Sequence, residues 1–178
     1  MTEPAGAGEP ATAGERRRDP LLTELTDRHA DFLGALADVH PDLRTAPGLV
    51  GAWSARDLVV HVAFWSDHAA NALALAADGR RAEFVFDSSQ TDAMNDRVVS
   101  EGRGLSMDAA IEREEAAFRR FQAAIEGISD ALLDLGLGNG DTVEEVVRYD
   151  GPDHFAEHTG QIRAWFNGEE EPEPDDDA

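Results

Sequence analysis

The chain contains no cysteine, which removes disulfides, thiolate metal ligands and a cysteine nucleophile from consideration. It contains no lysine either. All 15 basic residues are arginine, a compositional bias to which no function attaches. No apolar run approaches the roughly 18 residues that a membrane-spanning helix requires. The N-terminal stretch MTEPAGAGEPATAGERRRDP has no apolar segment behind its basic residues. It does not read as a secretory signal, and a cytoplasmic location is the default expectation. Positive charge is scarce: 37 acidic residues against 15 basic ones leave a net charge of -22. A surface of that sign argues against a nucleic-acid backbone or an anionic membrane as partner, since both are held by arginine and lysine patches. It also suits a salt-adapted host, although an acidic C-terminal tail accounts for part of the excess.

What is present is helical periodicity. At 178 residues the chain reads as one domain with room for a real core. Residues 1–18, rich in Ala, Gly, Pro and Glu, read as a disordered extension. Residues 168–178, GEEEPEPDDDA, read as a solvated acidic tail. Between them, over 19–167, four amphipathic helices are predicted. The first starts near Pro20 and carries the stripe Leu22, Leu25, His29, Phe32, Leu36. The second opens on Ser54, a good N-cap, and carries Leu58, His61, Trp65, His68, Ala72 as far as about Ala77. The third, from Ser106 to about Gly127, carries Met107, Ile111, Glu114, Phe118, Phe121, Ile125. The last runs from Pro152 to Asn167. Short helices are expected over Ser89 to Ser100 and Val143 to Arg148. Phe84-Val85-Phe86 has a strand-like pattern, and Gly136, Gly138 and Gly140 mark a loop. The expected architecture is an all-α four-helix bundle with long connections, at least one of the two after helices two and three being a crossover.

The last helix carries His154-Phe-Ala-Glu-His158, then Gln161 and Trp165. At about 100° per residue, His158 falls roughly 40° from His154, Gln161 about -20° and Trp165 about 20°. All four share one narrow face bordering the apolar sector of Phe155, Ile162 and Phe166. Imidazole is a common ligand for first-row metals at neutral pH. On the second helix, His61 lies on a core-facing stripe, so His61, His154 and His158 could converge from two helices. Three neutral imidazoles leave positions open on a divalent ion, the catalytic rather than the structural arrangement. The same spacing also fits exposed or hydrogen-bonded core histidines, the reading given to His29 and, at a helix end, to His40. His68 is an alternative third ligand or a pocket residue. Glu157 is either an orienting partner or exposed. Glu114, central on the third helix's stripe, is either a rim carboxylate or a buried one near the histidines, where it could act as a general base.

Trp53-Ser-Ala-Arg-Asp-Leu-Val-Val-His61-Val-Ala-Phe-Trp65 and His154-Phe-Ala-Glu-His158-Thr-Gly-Gln161-Ile-Arg together resemble the second-helix and last-helix signatures of the DinB superfamily, over about residues 20–167. The stretch Met94-Asn95-Asp-Arg-Val-Val followed by Gly104-Leu-Ser is most similar to the ClbS/DfsB-like branch, which includes a hydrolase that opens a reactive cyclopropane in a genotoxin. The resemblance implies a four-helix bundle, often dimeric, with a divalent metal (Zn, Ni or Fe) held by His61, His154 and His158. It implies hydrolysis, or transfer to an external low-molecular-weight thiol, acting on a reactive small molecule. Trp65, His68, Gln161, Trp165 and Phe118 would line the pocket. The alternatives are a non-catalytic bundle that binds or sequesters a small molecule in stress or resistance, and a dimerisation module.

Overall fold

Local sequence signals set most helix ends. The structure, a computed structural model, describes residues 17–168. The extension and acidic tail expected at 1–18 and 168–178 therefore lie outside the described residues, apart from Arg17, Arg18 and Gly168. Among the described residues there are six α-helices: α1 (Arg18–Asp38), α2 (Ala55–Ala77), α3 (Thr91–Gly102), α4 (Met107–Gly127), α5 (Val143–Tyr149) and α6 (Pro152–Asn167). Ser54 caps α2 in a reciprocal box with Asp57, and Thr142 does the same for α5 with Glu145. Ser106 caps α4 through the Ala109 N–H, and Gly168 closes α6 in the left-handed conformation that glycine adopts without strain. Helix α1 begins earlier than Pro20 because Arg17 and Arg18 are tied down. The Arg17 amide donates to Asp130, its guanidinium pairs with Asp134 and Glu144, and Arg18 donates to the Ile128 carbonyl.

The four long helices form the bundle. Helix α2 packs principally on α4, and α1 on α6, with lesser α1–α4 and α2–α6 contacts closing the ring. The consecutive helices α1 and α2 are not principal neighbours, so the 39–54 link is itself a crossover, as is the 128–151 connection from α4 to α6. The long connection after α2, in contrast, joins two packed neighbours. Helix α2 is the central element. Of its 23 residues, 14 are buried, so it is covered around most of its circumference and not along one stripe, because α3, α5 and α6 also contact it. In α1, Leu21 is buried in the core and Leu22 packs against it partly buried.

Phe84-Val85-Phe86 is not a strand. It follows a 3-10 turn (Arg81–Glu83) as extended chain without a partner, and its alternation reflects Phe84 turned inward and Val85 turned out. Among the described residues the only β-pairings are isolated bridges, Val50 to Trp53 and Gly136 to Thr142. The 136–140 loop lies hard against this segment. The Gly138 N–H donates to the Arg81 carbonyl at 3.0 Å, and a Cβ there would sit 2.4 Å from the Ala82 carbonyl oxygen, so only glycine permits this approach. His40 follows the C-cap of α1. Its Nδ1 accepts from the Asp42 N–H and caps the 3-10 turn Pro41–Leu43.

Glu114 lies in the core, not at the bundle rim. It is fully buried, and His29 Nε2 meets its Oε1 at 2.9 Å, while Oε2 has no hydrogen-bond partner. His29 in turn stacks on Phe118 at 3.6 Å and meets Phe155 edge-on. The pair ties α1 to α4 inside the bundle, which places Phe118 there too and away from any pocket wall. Removing one member of a buried hydrogen-bonded pair leaves the other unsatisfied, at a cost of about 1–3 kcal/mol. Glu114→Ala is expected to lower the melting temperature by several degrees, with Glu114→Gln milder and metal content equal to wild type in both. An unchanged melting temperature in the alanine variant would contradict this role.

Candidate metal centre

Helix α2 is covered around most of its circumference, and His61, on its inward side, is 4% exposed. Helix α6 starts at Gly151-Pro152, where proline suits the first turn, and its Phe155 and Ile162 anchor one side in the core. That rotation presents His154 and His158 to α2. One ligand nitrogen from each of His61, His154 and His158 lies within 4.8 Å of the others. His61 Nε2 and His154 Nε2 are 2.8 Å apart, and the ring centroids of the three pairs are separated by 4.4 to 5.0 Å.

The surrounding groups settle which nitrogens face inward. His158 Nδ1 donates to Gln161 Oε1 at 2.7 Å, and the Gln161 amide donates to Glu157. The His154 ring bonds the Asp150 backbone carbonyl. With Nε2 facing His61, the nitrogen left for that bond is Nδ1. His158 and His154 thus present Nε2 lone pairs, each imidazole held from behind by an acceptor, as orienting partners of metal-binding histidines commonly are. The contact between His61 and His154 then has the His61 Nε2–H donating, and His61 Nδ1 is buried without a partner. Burial, then the neighbouring His158, pushes the His61 pKa down to about 2, and His154 is held well below its ordinary value by burial and by its two imidazole neighbours. Both are neutral at neutral pH, with lone pairs available.

These residues fit a divalent cation. Nitrogens at about 2.0–2.1 Å from a shared ion in tetrahedral geometry lie roughly 3.3 Å apart, a spacing bracketed by the 2.8 Å contact and the 4.8 Å limit. The unpartnered His61 nitrogen is Nδ1, not the Nε2 that meets His154, so an ion in the site would require the His61 proton to sit on Nδ1 and free the Nε2 lone pair.

The histidines form part of the wall of a cavity of about 630 Å³. Trp53, Trp65 and Phe86 supply aromatic surface. Ser88, Thr91, Asn95, Asn139 and Gln161 supply neutral polar groups, and Asp141, Asp150 and Glu157 supply carboxylates. The Trp65 indole N–H donates to Asn95 at 3.0 Å, which fixes the ring, and Trp53 packs against His61 at 4.9 Å. His68 is not brought to the three nitrogens. Its Nδ1 meets the Asp150 carboxylate at 2.6 Å, and its ring lies edge-on to Trp65 and Phe86. Burial raises the Asp150 pKa to about 6, partly offset by His68. Trp165 does not line the cavity. It shares the angular column with His158, but seven residues advance about 10 Å along the axis, past the cavity's end, and its ring packs on the exposed Phe166.

Sequence reasoning missed Trp53, Asp141, Tyr149 and Asp150 as cavity residues. Asp150 had a local signal, standing just ahead of the Gly151-Pro152 helix start. Asp141 and Tyr149 had none, because their placement depends on how the glycine loop folds back.

Taken together, fold and site define a DinB-like helical bundle with a three-histidine group at the α2–α6 seam. The model of the mycothiol maleylpyruvate isomerase N-terminal domain matches residues 9–151, and the chain belongs to that family within the DinB-like superfamily. No curated protein matches it by sequence. Among solved structures it is similar to an uncharacterised protein from Escherichia coli UTI89 (TM-score 0.75, 17% identity, covering 85% of this chain and 93% of that one). It is also similar to the colibactin self-resistance protein ClbS in complex with a double-stranded DNA (TM-score 0.75, 14% identity, covering 88% and 98%). A third is the mycothiol-dependent maleylpyruvate isomerase (TM-score 0.67, 18% identity), of which the chain covers 60%. At these identities the likeness shows the fold alone.

The depressed His61 pKa has a consequence for the metal-free protein. A histidine kept neutral by folding contributes stability that is complete above its unfolded pKa of about 6.5 and is lost as pH falls from there toward about 2. The slope is at most about 1.4 kcal/mol per pH unit for one such group. The melting temperature of the wild type should therefore fall more steeply below pH 6.5 than that of His61→Gln. Parallel curves would contradict the burial of a neutral His61.

Proposed function

We propose that the chain is a metal-dependent enzyme acting on a reactive small molecule, by hydrolysis or by transfer to an external low-molecular-weight thiol, with a divalent ion held by His61, His154 and His158. The observation that carries this reading is the convergence of three imidazole nitrogens within 4.8 Å in the wall of a cavity large enough for a small molecule. A divalent ion there would polarise water or a thiol and lower its pKa toward neutrality. The chain has no cysteine, so any thiol comes from outside. Gln161 and the Asp150 carbonyl hold the two α6 imidazoles in the binding tautomer. Trp53, Trp65 and Phe86 shed water from the apolar part of a substrate. Asn95, Asn139, Ser88 and Thr91 offer it hydrogen bonds. The ion is zinc, nickel or iron, for all of which imidazole is a good ligand. A cytoplasmic homodimer belongs to the same reading. Among the described residues no helix is long and apolar enough to cross a membrane.

The thiol route gains support from family membership, since the family is that of the mycothiol maleylpyruvate isomerase N-terminal domain. The similarity to a self-resistance protein favours a second reading, in which the same cavity binds or sequesters a toxic small molecule without turning it over. That structure also holds a DNA duplex. The fold therefore does not itself argue against nucleic acid, and for this chain the argument rests on the net charge of -22 alone.

Metal analysis of full-length protein purified without a histidine tag separates these readings. The expected result is about one divalent ion per chain, lost in His61→Ala and His158→Ala and retained in His68→Ala. A metal-free wild-type protein whose melting temperature does not rise with added Zn, Ni or Fe would favour the binding-only reading.

A further inference from the structure

The cavity wall has an electrostatic character that the three histidines do not explain. No arginine lines it, while Asp141, Asp150 and Glu157 do. Arg148, next to the lining residue Tyr149 in sequence, is committed to Glu24 and Glu144. Asp150 is only 3% exposed, and its recorded partner is His68. Asp141 takes hydrogen bonds from Tyr149 and Asn139, which are neutral donors. Glu157 accepts from the Gln161 amide. None of the ion pairs among the described residues gives Asp141 or Glu157 a cationic partner.

Of these carboxylates Asp150 is buried, Asp141 half-buried and Glu157 exposed, and carboxylates in a concave wall attract cations and repel anions more strongly than they would on an open surface. The other half of the wall is aromatic, with Trp53, Trp65, Phe86 and Tyr149. Aromatic faces are apolar and carry negative potential, so they favour an apolar body bearing a positive group. A divalent ion on the histidines would supply one point for an anionic group, and nothing in the walls would hold a second.

We propose that this cavity takes an amine-bearing small molecule, its apolar body against Trp53, Trp65 and Phe86 and its ammonium group against Asp141 and Glu157, and that it discriminates against carboxylates. This names a substrate class for the site described above and rests on that cavity being the substrate site. It does not require the metal to be present.

The test is calorimetric titration of the full-length protein with phenethylamine and with its carboxylate counterpart, 3-phenylpropionate, at physiological ionic strength. The amine is expected to bind about tenfold more tightly, a difference of ordinary size for one well-placed charge beside aromatic faces. Asp141→Asn and Glu157→Gln keep the side-chain shapes. Each should weaken the amine severalfold and leave the carboxylate unchanged, with melting temperatures confirming that both variants fold. A loss confined to these variants also excludes loose binding to the acidic tail. His61→Ala should keep the preference, so a failed metal assignment and a failed amine assignment give different results. The proposal is overturned if the carboxylate binds as tightly as the amine, if the amine does not bind at millimolar concentration, or if both variants bind the amine like the wild type.

Discussion

Three imidazoles are crowded into one small buried volume in which His61 and His154 stay neutral, and much of the surrounding structure serves that constraint. A protonated histidine in this position would face two others at ring-centroid distances of 4.4 to 5.0 Å, in a wall that burial has stripped of most of its water. The neutral forms avoid this repulsion, but only if each ring has somewhere to place its single proton. Gln161 takes it from His158, and the Asp150 carbonyl takes it from His154. His61 gives its proton to its neighbour and leaves its other nitrogen without a partner. A cluster so arranged is suited to receiving a cation once the His61 proton moves to Nδ1, because the Nε2 atoms of His154 and His158 already face that ring.

The fold supplies the positions. Helix α2 can carry an inward histidine because it is covered on most sides, and α6 can present two because Phe155 and Ile162 fix its rotation. The glycine loop, pressed against the 81–84 segment at Gly138, brings Asn139 and Asp141 to the cavity. Asp150 joins the two regions: its carbonyl holds a candidate ligand, and its carboxylate holds His68 between aromatic rings. The other buried histidine–carboxylate pair, His29 with Glu114, is separate and serves packing. Similar chemistry in one chain thus has two uses, distinguished by whether a cavity reaches it.

Much of this was legible in the sequence because it follows from local periodicity. The helix starts at Ser54 and Ser106 and the last helix from Pro152 are readable from caps and spacing alone, and so is the shared face of His154, His158 and Gln161. The family resemblance named the same three histidines that the structure brings together. What was not legible depends on distance along an axis or on how non-neighbouring segments meet. Trp165 shares the right angle but lies too far along α6. Glu114 sits at the centre of its stripe, but only the packing of α1 against α4 shows that His29 is its partner. Trp53 and Asp141 reach the cavity from loops whose course no periodicity encodes, and Tyr149 reaches it from the end of α5, which that glycine loop positions.

The central claim is that one ion sits on three imidazoles. X-ray absorption at the metal edge of loaded, full-length protein tests it most directly. The account predicts three imidazole nitrogens at about 2.0–2.1 Å, with the outer-shell scattering characteristic of the ring, and one or more further light-atom ligands. A shell made of carboxylate oxygens without imidazole scattering would place the ion elsewhere, in the acidic tail for example, and would contradict it.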